Sequence, residues 1–187
     1  MNHTSPILER VPAVKSADGP VIHLPRLTRL PAGGLTVTRM ARAEDYRAVQ
    51  GMHARCSAAS RAIRYFAATD RLSRCDWNSL CDRAKGVTLL TAPGGDIRKV
   101  IAMTNILRTR DAGVVELAVL VEDAWQSRGL GSALASFALE SLQGQGVRAL
   151  TASVLAGNGR AVRMLRGIGA VRCSQPGAEV DFRLDLG

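Results

Sequence analysis

The sequence predicts an α+β domain with a mixed central β-sheet of six to seven strands flanked by helices. Three observations carry that expectation. Short alternating or wholly apolar runs recur from Leu35 onward and stop at turns rich in glycine, proline or aspartate. Stretches with apolar residues at helical spacing stand between them. The resulting order, β-α-α-(α)-β-β-β-α-β-α-β-β, joins some strands by tight turns and others by helices. It shows no internal repeat and no second domain.

Residues 1–34 fit neither period. They hold five of the seven prolines, Pro6, Pro12, Pro20, Pro25 and Pro31, and read as a loosely ordered extension. The folded domain is expected over residues 35–187. LTVTRMA alternates as a strand does. EDYRAVQGMH places Tyr46, Val49 and Met52 at helical spacing, with Glu44 and Asp45 where a helix start favours acids. Ser57 is the expected cap of the next helix, AASRAIRYFAA. A third, polar helix is expected over residues 71–84. VTLLTA reads as a strand, Pro93-Gly94-Gly95-Asp96 as a turn, RKVIAMTNIL as the next strand and TRDAG as another turn. VVELAVLV, residues 114–121, is apolar except for Glu116 and suits a strand buried on both faces. A helix follows over residues 129–143 and ends at Gly144 and Gly146. VRALTASVL is a strand, GNGRAVRMLRGIG a turn and helix, and AVRCS a strand. EVDFRLDL alternates as a final edge strand after Pro176-Gly177.

The chain has 187 residues, 47% of them hydrophobic, enough for one domain with a proper core. No apolar run reaches the roughly 20 residues of a membrane span, and no secretory apolar segment opens the chain. The expected location is the cytoplasm, away from membranes. Cys56, Cys75, Cys81 and Cys173 form no Cys-x-x-Cys pair and read as reduced thiols. Of three histidines, two lie in the extension, which leaves little for a metal site or a Ser-His-Asp triad. No metal is expected. The net charge of +9 favours anionic partners and disfavours polycationic ones. Only Lys15, Lys85 and Lys99 are lysines, and such an arginine bias reads as coding composition ahead of nucleic-acid binding. A homodimer stays open.

The stretch EDAWQSRGLGSALASFALESL, residues 122–142, carries the chemistry. Its Gly-x-Gly lacks the Lys-Ser/Thr of a P-loop and the third glycine of a dinucleotide fingerprint. Gln126, Ser127, Arg128, Gly129, Leu130, Gly131 and Ser132 nevertheless surround a helix start. Glycine lets a ligand approach the backbone, and the first helical N–H groups have no internal partner. A pyrophosphate suits such a place, with Arg128 adding charge. A tight turn without any ligand is the alternative.

Gln-x-x-Gly-x-Gly after an apolar strand, opening a long helix, resembles the acyl-CoA signature of the GNAT N-acetyltransferase superfamily. Asn158, at a helix start after the following strand, matches the asparagine of that family's second conserved region, and NGRAVRMLRGIGA is similar to its helix-and-glycine pattern. VTRMARAEDYRAVQGMHARCSAASRAIRYF resembles the start of the GNAT domain in bacterial protein lysine acetyltransferases. The order of elements from Leu35 to Leu186 is similar too. The resemblance implies a GNAT-like sheet splayed at its fourth strand, VVELAVLV, with a bulge near Val119, Leu120 and Val121. The backbone there would hold the thioester and pantetheine of acetyl-CoA, residues 126–132 its pyrophosphate, and Asn158 its pantetheine. Arg160, Arg163 and Arg166 either form a solvated basic face or reach the adenosine phosphate.

Acetyl transfer needs a neutral amine, and deprotonating a lysine at pH 7 costs more than about 4 kcal/mol. Glu116, the one charge in the central strand, is the candidate general base, and a glutamate stands at the matching place in the resembled acetyltransferases. An outward-facing or ion-paired carboxylate is the alternative. Glu122 and Asp123 are runner-up bases, expected in a turn facing solvent. Two departures from the family pattern stand out. Leu165 occupies the place of a general-acid tyrosine, and Gly169-Ala170 replaces the usual Gly-Phe. The expectation is transfer of acetyl from acetyl-CoA to a primary amine, of a protein lysine or a small molecule, by direct attack in a ternary complex. The competing readings are a non-catalytic acyl-CoA-binding regulatory module and, on charge alone, an RNA-binding accessory protein.

Overall fold

The computed structural model describes residues 24–66, 71–175 and 177–187. Residues 1–23 of the expected extension, the end of AASRAIRYFAA beyond Phe66, and Pro176 lie outside them. The strands are β1 (Arg26–Arg29), β2 (Leu35–Met40), β3 (Gly86–Pro93), β4 (Ala102–Arg108), β5 (Val114–Val121), β6 (Ala149–Leu155), β7 (Val171–Arg172) and β8 (Glu179–Asp185). The helices are α1 (Tyr46–Arg55), α2 (Ala58–Tyr65), α3 (Arg74–Cys81), α4 (Leu130–Leu142) and α5 (Gly159–Gly167). One sheet runs in the order β1-β2-β3-β4-β5-β6-β8-β7. Its pairs are antiparallel except β5–β6, which is parallel and bridged by α4.

Alternation along β5 sorts the core. Leu120 points with Met103 and Leu107 into a cluster containing Val49, Met52, Tyr65 and Trp77, so α1, α2 and α3 cover that face. Val115 and Leu117 point the other way, against Ala135, Phe137, Ala138 and Leu142 of α4. Leu165 of α5 packs with Ala152, Val180 and Phe182 of β6 and β8. Glu116 shares the parity of Leu120 and therefore faces the α1–α3 side.

Local chemistry explains the helix starts. Ser57 Oγ accepts from Ser60 N at 3.1 Å, and Ser73 Oγ from Asp76 N at 3.0 Å. Asp45, in a short 3-10 turn before α1, instead takes both ends of the Arg39 guanidinium at 2.7 Å each. The Asp45 carboxyl is opposed by burial, which raises its pKa, but the bonds from Arg39 and from the Arg42 backbone outweigh this and hold it below the usual range.

Three sequence expectations change. The sheet has eight strands and begins at Arg26, inside the stretch read as an extension. β1 pairs with β2 from Arg26↔Thr38 to Arg29↔Leu35, and the next residue, Leu30, packs with Leu130 and Leu134. Pro25 and Pro31 flank this strand without interrupting it, so proline content concealed it. β8 is not an edge: it lies between β6, which pairs with all seven of its residues, and the two-residue β7. β4 starts at Ala102, because Asp96 to Lys99 close a turn with Lys99 N donating to Asp96 O at 3.2 Å.

Candidate active site

β5 and β6 begin as neighbours and then part. Val114, Val115 and Glu116 pair with Ala149, Leu150 and Thr151, and the parallel ladder ends there. β6 is drawn into its antiparallel ladder with β8, while β5 stays with β4 as far as Val121. One edge of β5, from Leu117 to Val121, is left without a strand neighbour. The bulge expected near Val119 to Val121 is not present. The β4–β5 register runs without an inserted residue from Arg108↔Val115 to Ala102↔Val121. Divergence of the two partners' ladders opens the gap, and it opens directly after Glu116.

The gap is a cleft of about 490 Å³. Glu116, Val119, Leu120, Val121, Gln126, Ser127, Gly129, Gly131, Ser132 and Asn158 all line it. Two residues expected there do not. Arg128 lays its guanidinium 4.6 Å over the Trp125 ring, and Leu130 is buried in the core with Leu134 and Ile101. Arg160 and Arg163 border the cleft, and Arg166 does not.

The start of α4 is open. Gly129 precedes the helix with φ 86°, and no side chain caps it. The first helical bond is Ala133 N to Gly129 O at 3.0 Å, so the N–H groups of Leu130, Gly131 and Ser132 have no acceptor within the helix. Gly129 is glycine for two reasons: its left-handed backbone, and Pro31 Cδ, which stands 2.8 Å from where a Cβ would be. A Cβ on Gly131 would meet only Met164 Sδ at 3.5 Å, an ordinary contact.

The polar side chains have definite partners. Gln126 Nε2 lies 2.9 Å from Val121 O, 3.0 Å from Ser60 Oγ and 3.1 Å from Asp123 Oδ1, tying the turn to β5 and α2. Asn158 Oδ1 accepts from Ala161 N at 3.2 Å and caps α5, which leaves its Nδ2 as the group free to donate to a ligand. Glu122 does not face solvent as expected. It is 3% exposed and ion-paired with Arg55 at 2.9 Å, with Lys99 Nζ at 4.0 Å. Asp123 accepts from the Ser57 backbone at 3.2 Å. Burial raises its pKa, but hydrogen bonds from Ser60 and Ser57 prevail and lower it. Neither acid lines the cleft.

Sequence reasoning missed the α2 wall. Ser60, Ile63, Arg64 and Phe66 all border the cleft. Arg64 is 6% exposed and donates from Nη2 to Asn105 Oδ1. The spacing of Ser60 and Arg64, one turn apart, was a signal of a shared face, but nothing marked that face as interior. Behind it, Tyr65 OH and His53 Nε2 are 2.8 Å apart and both residues are buried. Burial, then the charges of Arg64 and Arg61, push the His53 pKa down to about 4. Burial pushes Tyr65 up to about 12. Leu165 borders the cleft where a tyrosine was sought. Neither Tyr46 nor Tyr65 is among the lining residues, and Tyr46 OH is spent on Leu72 O at 3.1 Å. Among the described residues no cluster of His, Cys, Asp and Glu could hold a metal, and no helix is long and apolar enough to cross a membrane.

Comparison with known proteins agrees with this fold. The family described as Acetyltransferase (GNAT) matches residues 48–170. The GNAT domain of S. lividans PAT superposes with a TM-score of 0.77 at 26% identity, covering 86% of this chain and 96% of that one. Spermidine N-acetyltransferase from Vibrio cholerae, in complex with CoA and spermine, gives 0.65 at 13% identity over 81% of this chain and 95% of its own. Mycobacterium smegmatis RimJ, in complex with CoA-disulfide, gives 0.65 at 15% identity over 86% of each chain. The latter two speak for the fold alone. No curated protein matches.

Proposed function

The chain belongs to the acetyltransferase (GNAT) family and is an N-acetyltransferase; from that premise we propose that it acetylates a primary amine, a protein lysine ahead of a small-molecule amine, by direct attack in a ternary complex. The observation that carries the reading is the unpaired edge of β5 leading toward the uncapped start of α4. In this reading acetyl-CoA adds to the β5 edge by backbone hydrogen bonds, as an extended peptide would. Its thioester carbonyl sits beside Val119 to Val121, where a backbone N–H stabilises the oxyanion. Its pyrophosphate takes the N–H groups at the start of α4, and Asn158 Nδ2 donates to the pantetheine. Residues 126–132 thus divide their work: Gly131 and Ser132 give access to backbone, while Gln126 secures the turn.

The amine enters from the α1–α3 side, where Glu116 points. Glu116 takes its proton through a water, which offsets the cost of producing a neutral nitrogen at pH 7. Attack forms a C–N bond and releases the CoA sulfur. With Leu165 in place of a tyrosine, the sulfur leaves as thiolate and is protonated by water. Resemblance of the α1–α2 region to protein lysine acetyltransferases, and the 26% identity to the PAT domain, support a protein lysine as acceptor.

The experiment is turnover of acetyl-CoA against a panel of lysine peptides and small amines, beside the melting temperature with and without acetyl-CoA. Thermal stabilisation together with peptide acetylation is the expected result. Stabilisation without turnover on any amine points instead to the acyl-CoA-binding module, and no shift at millimolar acetyl-CoA overturns both.

A further inference from the structure

A chain of buried polar groups crosses the α1–α3 face of the sheet and ends at the cleft. Thr88 Oγ1 on β3 donates to Leu80 O of α3 at 2.6 Å. Asn105 Nδ2 on β4 donates to Thr88 Oγ1 at 2.9 Å. Arg64 Nη2 on α2 donates to Asn105 Oδ1. Each acceptor and donor in this chain is used in one sense, so the Asn105 amide cannot flip and the guanidinium is held in one place. Thr88 and Asn105 are 3% and 0% exposed.

Asn105 stands opposite Ala118 in the β4–β5 register, and Glu116 is two residues along β5 on the same face. α2 packs against β5, and Arg64 and Glu116 line the same cleft. Arg64 Nε and Nη1 are buried without a hydrogen-bond partner, and the guanidinium lies 5.1 Å over the Tyr65 ring. A buried cation is costly unless a counter-charge faces it. Desolvation lowers the Arg64 pKa, opposed by Tyr65 and then Glu116. Of the groups acting on Arg64, Glu116 is the carboxyl group, and the two residues line the same cleft between α2 and β5.

We propose that Arg64 is the positioning residue of Glu116: a cation fixed by the Asn105–Thr88 chain that orients the Glu116 carboxylate in the cleft for its work as base. The role rests on the reading of Glu116 as the general base. A fixed positive charge beside a carboxylate favours its anion. Among the described residues Arg64 makes no hydrogen bond to the start of α4 or to Asn158, its one hydrogen-bond partner being Asn105, so its effect belongs to the chemical step and not to acetyl-CoA affinity.

The test is a cycle on the full chain: wild type, Arg64→Met, Glu116→Gln and the double variant, with kcat, the KM for acceptor and the Kd for acetyl-CoA. Glu116→Gln is expected to lower kcat about 100-fold or more. Arg64→Met should lower kcat about tenfold, leave the acetyl-CoA Kd within about twofold, and add nothing once Glu116 is Gln. Arg64→Lys should restore part of the loss. Asn105→Ala leaves the arginine but removes its anchor, and keeps the test alive should Arg64→Met fold poorly. Its smaller loss of kcat should vanish in the Glu116→Gln background as well. An unchanged kcat in Arg64→Met, or the same loss in both backgrounds, overturns the role of Arg64 while leaving the base intact. An unchanged kcat in Glu116→Gln removes the base, and this inference with it.

Discussion

The α4–α5 wall of the cleft offers a ligand mostly backbone: the N–H groups at an uncapped helix start, the bare edge of β5 and two glycines. The α2 wall offers side chains, Ser60, Ile63, Arg64 and Phe66, backed by a buried polar chain and the His53–Tyr65 pair. Backbone recognition tolerates changes in side chain that keep the space open, and fails when the space is filled. Side-chain positioning depends on a network in which each buried group relies on the next. Substitutions that fill the open space of the first wall without straining its turn should therefore strike binding, and substitutions on the second should strike stability or rate.

Gly131→Glu gives the largest effect. The Cβ meets only Met164 Sδ at 3.5 Å, so the fold accepts it, while the carboxylate enters the proposed pyrophosphate site. Calorimetry should find acetyl-CoA affinity down by more than about 100-fold, with the melting temperature of the free protein within a few degrees of wild type. Retained affinity would contradict the pyrophosphate assignment.

The second wall answers to acid. His53 has a folded pKa of about 4 against about 6.5 when unfolded. The unfolded chain binds a proton in that interval and the folded chain does not. The stability attached to neutral His53 is thus complete above about pH 6.5 and is lost as pH falls toward 4, by about 3 kcal/mol in all. Denaturant unfolding from pH 7 to 4 should show that slope in wild type, and His53→Gln should flatten it. An unaltered slope in the variant would move the acid sensitivity elsewhere.

Gly129→Ala comes next, with a loss of about 1–3 kcal/mol, because a side chain at φ 86° is strained and its Cβ meets Pro31 Cδ at 2.8 Å. It separates the two glycines: Gly129 shapes the turn, and Gly131 leaves room for a ligand. Equal melting temperatures for Gly129→Ala and wild type would dissolve that distinction. Ser57→Ala is the smallest, about 1 kcal/mol, from the lost cap on α2. Its melting temperature should drop by a few degrees, with acetyl-CoA affinity unchanged if the two walls are as separate as proposed.

The walls also differ in how much of them the sequence disclosed. Gly129, Gly131 and the apolar run before them are local signals, readable over a few neighbouring residues. Cleft position followed for ten of the twelve expected residues, and failed for Arg128, whose guanidinium lies over Trp125 in the turn before α4, and for Leu130, which the first turn of α4 sends into the core. Arg64 left no comparable mark. An arginine in a short amphipathic helix reads as a solvated residue, and the partner that receives it in the interior, Asn105, lies 41 residues along the chain. Glu122 misled for the same reason: its partners Arg55 and Lys99 come from α1 and the loop before β4.

What the sequence determined by itself is local: the strand and helix periods from Leu35 onward, the Ser57 cap, the glycine turn at 129–131 and the family that this pattern resembles. These follow from spacing along the chain, where hydrophobic period and backbone permissiveness act over a few residues. Only the tertiary structure decided that β1 joins the sheet, that β8 is covered by β7, that β5 and β6 part after Glu116 without a bulge, and that Arg64 is buried in the wall of the cleft that Glu116 also lines. Each is settled by pairing between distant strands or by the desolvation of a charge against a remote partner, and neither quantity is written in the neighbouring residues.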